Sequence, residues 1–321
     1  MIEDHYSTSL DALGGRESWI GKEAFWLPTH FVPLSGWNEH GPFLSWLMAR
    51  LAPRTFVELG SHYGYSYFTA CDAVKRLGLP TETWAVDSWE GDEHAGFYGD
   101  EVFESVRAIN ESEYVTFSTL VRGYFDAVVD EFADGSIDLL HVDGRHRYED
   151  VKHDFETYLP KLSTRSVVLF HDIAEHQSDF GVWRYWEELS ERHPSFAFEH
   201  GHGLGVLGVG AEPPESMTAF FAAAGADPDV IRTEYSRLGR RLQDVADWKF
   251  ETLRMQVEVG EQSARLRASE TELDAVRSEL ASAREDLAAA RAELERTRAT
   301  LSWRVGAPLR ALRRLDPRRR A

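Results

Sequence analysis

Two apolar segments in the middle of the chain are followed by residues that suit cation binding or proton transfer. Asp143 and His146 follow IDLLHV, and His171 and Asp172 end the segment VVLFHD. Carboxylates favour Mg²⁺, whereas an imidazole also tolerates Mn²⁺ or Fe²⁺. An imidazole titrates near neutral pH, so His146 is the candidate general base. The residue types predict a divalent cation on Asp143, His171 and Asp172, although each residue alone could be a helix cap or a solvated loop residue.

A glycine-rich turn earlier in the chain suits the binding of a nucleotide-like ligand. The segment FVELGSHYGYS has Glu58 at the end of an apolar run, then Gly60 and Gly64, and a helical pattern begins at Ser66. Glycines at such a strand–turn–helix junction let the backbone approach a ligand. Their spacing differs from G-x-G-x-x-G, which seats a pyrophosphate. Asp87, which ends the next strand candidate, is placed to accept hydrogen bonds from ribose hydroxyls or to cap a helix.

The elements that position these residues alternate between short apolar runs and amphipathic stretches. Seven runs are strand candidates, and helical patterns lie between most of them: TFVELG, TWAVDSW, TFSTLVRG, IDLLHVDG, SVVLFHDI, FAFEH and LGVLGVG. This alternation predicts an α/β fold with a doubly wound, mostly parallel sheet. Because the fourth and fifth strands are neighbours in such a sheet, Asp143, His171 and Asp172 should converge at one edge.

The chain divides into four predicted regions. Residues 1–50 form an aromatic-rich helical region that ends in a helix from Pro42 to Leu51, and residues 51–234 form the α/β domain. Residues 235–302 predict a long coiled-coil helix, because leucine recurs every seven residues there. Residues 303–321 form a basic amphipathic tail. We expect the coiled coil to form a homo-oligomer, and the alternative is a lone solvated helix; the repeating leucines are Leu266, Leu273, Leu280, Leu287, Leu294 and Leu301.

Composition excludes several classes of protein. The 321 residues carry a formal net charge of −19, so we expect no nucleic-acid binding. Residues 303–321 contain seven arginines and one aspartate, a net +6, which leaves −25 on the remainder. The single Cys71 excludes an internal disulfide and fits a reducing compartment. No apolar run of membrane-spanning length and no signal peptide is visible, so we expect a cytoplasmic protein.

The motifs together resemble a known family. The set VELGSHYGYS, VDSWEGDEHAGFYG, DLLHVDGRHRYEDVKHDFETYLPKL, VVLFHDI and GLGVLGVG is similar to class I S-adenosylmethionine (SAM) methyltransferases of methyltransferase family 24. That group is related to the macrocin and mycinamicin sugar O-methyltransferases and to cephalosporin hydroxylase-like proteins. The resemblance implies a Rossmann-like, seven-stranded sheet that binds SAM, with Mg²⁺ or another divalent cation nearby.

The resemblance also assigns roles to residues. His146 and Asp143 take the catalytic positions, with Asp143, His171 and Asp172 as the metal site; relatives have an acidic residue where this chain has His171. Trp89 would lie against the adenine, under a loop that contains His94. The implied cofactor-binding residues are Glu58, Gly60, Ser61, Gly64, Ser66, Asp87, Ser88, Trp89 and Gly123.

The resemblance implies methyl transfer to a hydroxyl group of a sugar, in a bacterial surface glycan or a glycosylated metabolite. The alternatives are a metal-dependent hydroxylase-like enzyme and a coiled-coil scaffold or chain-length regulator in polysaccharide assembly. The tail LSWRVGAPLRALRR resembles a C-terminal element of bacterial surface-polysaccharide enzymes. It suggests a glycosyltransferase partner or contact with the inner face of the plasma membrane, unless it is only the frayed end of the coiled coil.

Overall fold

The structure is a computed structural model that describes residues 16–32, 35–93, 96–177, 179–300, 304–306, 308, 310 and 311. Most of the basic tail, Leu301 and His94 therefore lie outside the described residues. Among the helices of the described residues, none combines the length and the apolar character needed to cross a membrane.

A seven-stranded sheet organises the first part of the chain. Its strands occur in the order β5-β2-β1-β6-β7-β9-β8 across the sheet. β9 is antiparallel to both β7 and β8, and the other neighbouring strands are parallel. A separate two-stranded hairpin is formed by β3 and β4. The strand bounds are β1 Thr55–Leu59, β2 Glu82–Asp87, β3 Gly91–Asp92, β4 Gly96–Phe97, β5 Ser118–Arg122, β6 Ile137–Val142, β7 Leu162–His171, β8 Ser195–Phe198 and β9 Leu204–Gly208.

Helices cover both faces of the sheet. On one face α1 packs against α2, and the aromatic core there includes Trp46, Phe68 and Phe198. The other face is covered by α5 and α6, and Phe155 of α5 packs there against Phe170 of β7. The helix bounds are α1 Gly41–Leu51, α2 Tyr65–Leu77, α3 Asp100–Glu113, α4 Phe125–Val128, α5 Tyr148–Tyr158, α6 Val182–Ser190, α7 Glu215–Ala226 and α8 Pro228–Ala299.

The doubly wound, mostly parallel, seven-stranded sheet predicted from the sequence is confirmed. Strands β1 and β6 are buried at nearly every position, which is why most of their residues are apolar. Helix α4 is short: it stops at Val128, and a 3₁₀ turn follows. The hairpin of β3 and β4 has only two residues in each strand, too few for an alternating pattern to reveal.

The chain divides into two compact units, residues 1–250 and 251–321. The first unit includes the start of α8, where Tyr235 is buried and its hydroxyl donates a hydrogen bond to the carbonyl of Trp19. The aromatic-rich residues before β1 belong to the same unit, and the predicted helix there is α1. In the second unit every described side chain from Glu251 to Ala299 is exposed except the partly exposed Thr252.

Candidate active site

A cavity of 1030 Å³ opens at the carboxyl edge of the sheet. Residues that follow β1, β2, β5, β6 and β7 line it, among them Gly60, Asp87, Gly123, Asp143 and Asp172. In an open α/β sheet this edge is where ligands bind, because loops from neighbouring strands converge there. The sequence-predicted residues therefore meet in one place, with the exceptions described below.

The glycine-rich turn after β1 is shaped by the neighbouring strand. Gly60 has φ +88°, and a Cβ atom there would lie 2.0 Å from the backbone oxygen of Asp143. A side chain at this position is thus excluded by the close approach of β1 and β6 as well as by backbone strain. Gly64 has φ +78° and ends the turn as the residue before α2. The glycines expected to admit a ligand therefore also fix the turn against Asp143.

Asp87 at the end of β2 organises the backbone around that turn. Its Oδ2 accepts hydrogen bonds from the backbone N–H groups of Ser61 at 2.8 Å and His62 at 2.9 Å. Its Oδ1 accepts one from the backbone N–H of Trp89 at 2.7 Å. A carboxylate has about four acceptor positions. Asp87 can therefore accept about one further hydrogen bond. The sequence predicts that it binds two ribose hydroxyls, which would require two.

Glu58 does not line the cavity, contrary to the prediction that it contacts the cofactor. It is fully buried, and its two carboxylate oxygens are occupied by protein groups. Oε1 accepts a hydrogen bond from the hydroxyl of Ser61 at 2.7 Å, and Oε2 lies 2.9 Å from Nδ1 of His141. Glu58 therefore positions the turn and His141, which is buried between β1 and β7.

Trp89 is likewise absent from the cavity wall, so the predicted stacking on adenine is not supported. Its ring is fully buried and packs against Phe103, and its Nε1 donates a hydrogen bond to the carbonyl of His62 at 2.9 Å. This hydrogen bond connects the indole of Trp89 to the turn that contains His62. The other predicted cofactor residues do line the cavity: Gly60, Ser61, Gly64, Ser66, Asp87, Ser88 and Gly123.

A cluster of acids and imidazoles occupies the part of the cavity beyond β6 and β7. Nε2 of His146 lies 2.9 Å from Oδ2 of Asp172 and 3.8 Å from Oδ1 of Asp143. One ligand atom from each of these three residues lies within 4.8 Å of the other two, which is a spacing that a single cation could bridge. The convergence of Asp143 and Asp172 follows from the pairing of β6 with β7.

His171 lies beside Asp143 and Asp172. Its Nε2 donates a hydrogen bond to the backbone carbonyl of Gly201 at 3.1 Å, since a carbonyl can only accept. This leaves Nδ1 facing both acids, 3.4 Å from Oδ1 of Asp143 and 3.4 Å from Oδ2 of Asp172. The group of three ligand atoms within 4.8 Å of one another is formed by Asp143, His146 and Asp172.

The charges in the cluster stabilise one another. Burial would lower the pKa of His146, but its hydrogen bonds with Asp143 and Asp172 outweigh burial and raise the pKa to about 10. Burial also works against ionised acids, yet the neighbouring charge of His171 and the hydrogen bonds with His146 hold the pKa values of Asp143 and Asp172 well below their ordinary range. At neutral pH His146 is therefore protonated, whereas the sequence predicted an imidazole that titrates near neutrality.

Several cavity residues were not predicted. Nε1 of Trp37 donates a hydrogen bond to Oδ2 of Asp143 at 3.1 Å, although 106 positions separate them in the sequence. The ring of Phe180 stacks on His146 with 4.8 Å between centroids. Phe97 and Tyr124 line the cavity and are 76% and 68% exposed. The aromatic richness of the first 50 residues was the one signal in the sequence that pointed to Trp37.

Comparison with known proteins shows what part of the chain is similar to. Residues 57–173 match a family model described as methyltransferase domain (Methyltransf_24). An uncharacterized protein of Sinorhizobium fredii (strain NBRC 101917 / NGR234), y4gI, is 55% identical over 190 residues, which cover 59% of this chain and 21% of that protein. The chain thus spans about a fifth of the length of this curated relative.

Solved structures show a more distant likeness. The O-methyltransferase TomG from Streptomyces achromogenes, solved with SAM, has a TM-score of 0.41 and 17% identity, covering 57% of this chain and 83% of its own. An O-methyltransferase from Bacillus cereus, solved with SAH, has a TM-score of 0.40 and 16% identity, covering 57% of this chain and 84% of its own. Likenesses this distant carry no argument about activity. The family model matches about a third of the chain, and residues 57–173 are similar to a methyltransferase domain.

Proposed function

We propose that the protein is a SAM-dependent O-methyltransferase that acts on a hydroxyl group of a sugar. One observation carries the proposal: a single cavity joins the turn at Gly60 and Asp87 to the cluster of Asp143, His146 and Asp172. The first part suits a nucleoside-bearing methyl donor, and the second suits the activation of a hydroxyl group. A methyltransferase domain needs both within reach of one another, because methyl transfer depends mainly on orientation.

In this proposal the cofactor lies along the turn between β1 and α2. Gly60, Ser61 and Ser66 would face its methionine end, and the remaining acceptor position of Asp87 would take one ribose hydroxyl. Glu58 and Trp89 act only by holding the turn, because neither reaches the cavity. The ring of His62 lies 4.9 Å from that of Tyr98, and these two rings line the cavity and offer an aromatic surface for the adenine.

The reaction would be an in-line displacement. The acceptor oxygen attacks the sulfonium-activated methyl carbon, the C–S bond breaks, and its electron pair remains on sulfur, which becomes a neutral thioether. The acceptor proton passes to His146, provided that His146 is first deprotonated. Since Asp143 and Asp172 raise its pKa to about 10, an additional positive charge in the cavity is needed to release that proton near neutral pH.

A divalent cation fits the cluster. Asp143, His146 and Asp172 can each offer one ligand atom within the spacing that a single ion bridges. The two ionised acids would hold it, and loss of the His146 proton would accompany binding. When bound, such a cation would lower the pKa of an acceptor hydroxyl. With its proton lost, His146 would then be able to take the acceptor proton.

The rim of the cavity favours a sugar as acceptor. The rings of Phe97 and Tyr124 are mostly exposed beside it, and they offer flat apolar surfaces to the C–H face of a pyranose. Polar atoms deeper in the cavity suit several hydroxyl groups. A glycan or a glycosylated metabolite presents both features, which supports the acceptor class implied by the sequence motifs.

The test is a transfer assay with the purified full-length protein and radiolabelled SAM on a panel of sugars and glycans, with Mg²⁺ or with EDTA. We expect labelled product and release of S-adenosylhomocysteine with at least one acceptor. His146→Ala should lower the rate by about 10²-fold or more. His193→Ala is the matched control, because His193 follows α6 and does not line the cavity. Absence of SAM binding by calorimetry would refute the proposal and favour a scaffold.

A further inference from the structure

The second unit presents an apolar seam that is exposed in this chain. If the leucines of α8 occupy heptad position a, position d holds small or apolar residues. The five described leucines are between 46% and 62% exposed, although leucine at this spacing normally packs against another helix. Position a holds Leu266, Leu273, Leu280, Leu287 and Leu294, and position d holds Ser269, Val276, Ala283, Ala290 and Thr297.

Charged residues flank this seam in a regular order. Position g is acidic in four consecutive heptads, and position e, five residues further on, is basic. The four g–e combinations are Glu272 with Arg277, Glu279 with Arg284, Asp286 with Arg291, and Glu293 with Arg298. Residues five apart do not face one another on a single helix. They do meet across two parallel helices in register, where g of one helix approaches the following e of the other.

We propose that residues 261–299 form a parallel, in-register, two-stranded coiled coil with a second copy of this chain. In a parallel pair, all four combinations join opposite charges, and symmetry makes eight such contacts. In an antiparallel pair, g faces g and e faces e, so the acidic row would meet an acidic row and the arginines would meet arginines. Charged residues directly beside a narrow a/d seam fit two strands.

A fifth combination fixes the register. Arg265 is at g and Glu270 at the following e, so this pair also joins opposite charges but with the signs reversed. If one helix slides by a heptad, Arg265 of one copy faces Arg277 of the other, and this contact becomes repulsive. A run of identical pairs would tolerate such a shift. The reversed pair therefore favours the register in which equal residue numbers lie side by side.

The first test changes the charges without touching the seam. Arg284→Glu with Arg291→Glu turns four attractive contacts in the pair into repulsive ones, and we expect self-association to weaken by at least about tenfold. Arg267→Glu with Arg296→Glu makes the same change in net charge at outward positions b and c, and should leave association unchanged. Sedimentation equilibrium of the full-length protein gives the constants.

A compensating variant separates pairing from helix stability. Adding Glu279→Arg and Asp286→Arg to Arg284→Glu and Arg291→Glu exchanges the charges of positions g and e and restores the wild-type net charge. Association should return to within about threefold of wild type, and circular dichroism should show equal helix content in all variants. Failure of this rescue, or equal weakening by the outward control, overturns the proposal.

The second test reads the orientation directly. Ser269→Cys and Thr297→Cys each place one thiol at position d, about 42 Å apart along the helix at 1.5 Å per residue. Native Cys71 is buried and remains in both variants. We expect each variant to form a disulfide with itself under mild oxidation. Cross-linking that requires a mixture of the two variants indicates an antiparallel pair, and a monomeric or trimeric wild-type protein also overturns the proposal.

Discussion

The charge of His146 is the property of the site that a single substitution tests most directly. Asp172→Asn removes the carboxylate whose Oδ2 lies 2.9 Å from Nε2 of His146, and it leaves Asp143, 3.8 Å away, in place. An opposite charge at such a distance typically changes a pKa by about 1 to 3. We therefore expect the pKa of His146 to fall from about 10 to between about 7 and 9.

The assay is an NMR titration of the full-length protein with isotope-labelled histidine, in the presence of a chelator. The signal of His146 is assigned from its loss in His146→Asn. Asp126→Asn is the matched control: it makes the same chemical change beside the exposed His153, which lies 2.9 Å from Asp126, and should lower only the pKa of His153. A wild-type pKa of His146 near 6.5, or no change in Asp172→Asn, would refute the reasoning.

The same pKa predicts how stability depends on pH. The difference between 6.5 and about 10 corresponds to about 5 kcal/mol in favour of charged His146, an upper bound because the folded cluster relaxes. Since the folded pKa is raised, this stabilisation is complete below pH 6.5 and is lost as the pH rises through about 10. Asp143 and Asp172 have lowered pKa values, so their contribution is lost only as the pH falls below their ordinary range.

Three further predictions test the frame around the site. Gly60→Ala should destabilise the fold by at least about 3 kcal/mol in urea denaturation, because the new Cβ meets the backbone of Asp143. Gly78→Ala is the control and should cost about 1 kcal/mol, because Gly78 has φ +64° and a Cβ there would meet no atom within 4 Å. Asp138→Asn should cost about 2 kcal/mol in the same assay, because buried Asp138 accepts hydrogen bonds from Arg54 at 2.8 to 3.0 Å. Asp87→Asn should weaken SAM binding by about tenfold in calorimetry, since one of its acceptor oxygens is lost. The first prediction is wrong if the two glycine variants are equally stable. The second is wrong if Asp138→Asn is as stable as wild type, and the third if Asp87→Asn binds SAM with unchanged affinity.

The sheet could be predicted because its strands leave a local signal. Each buried strand is a short apolar run between turn residues, and the strand pairing then follows from the few topologies that parallel connections allow. The same reasoning placed Asp143, His171 and Asp172 at one edge, since β6 and β7 are neighbours. Elements too short for a period, such as the hairpin of Gly91–Asp92 and Gly96–Phe97, leave no comparable signal.

The side-chain roles were harder to predict because they depend on partners far away in the sequence. Glu58 has the type and position of a cofactor ligand, but Ser61 and His141 occupy its oxygens. The pKa of His146 depends on Asp172, which a strand and a helix separate from it. Spacing within the sequence sets which strand end a residue occupies. It does not set which neighbouring group its side chain meets.

The C-terminal helix presents the opposite case. Pairing across a coiled coil depends on residue types at fixed intervals, so the sequence alone contains the orientation rule, and the structure adds only that the seam is exposed. The four pairs of an acid at position g and an arginine at position e also allow registers shifted by a heptad, because every such pair has the same signs. The reversed pair of Arg265 and Glu270 removes that freedom. Orientation and register therefore rest on different residues, and the two sets can be mutated independently.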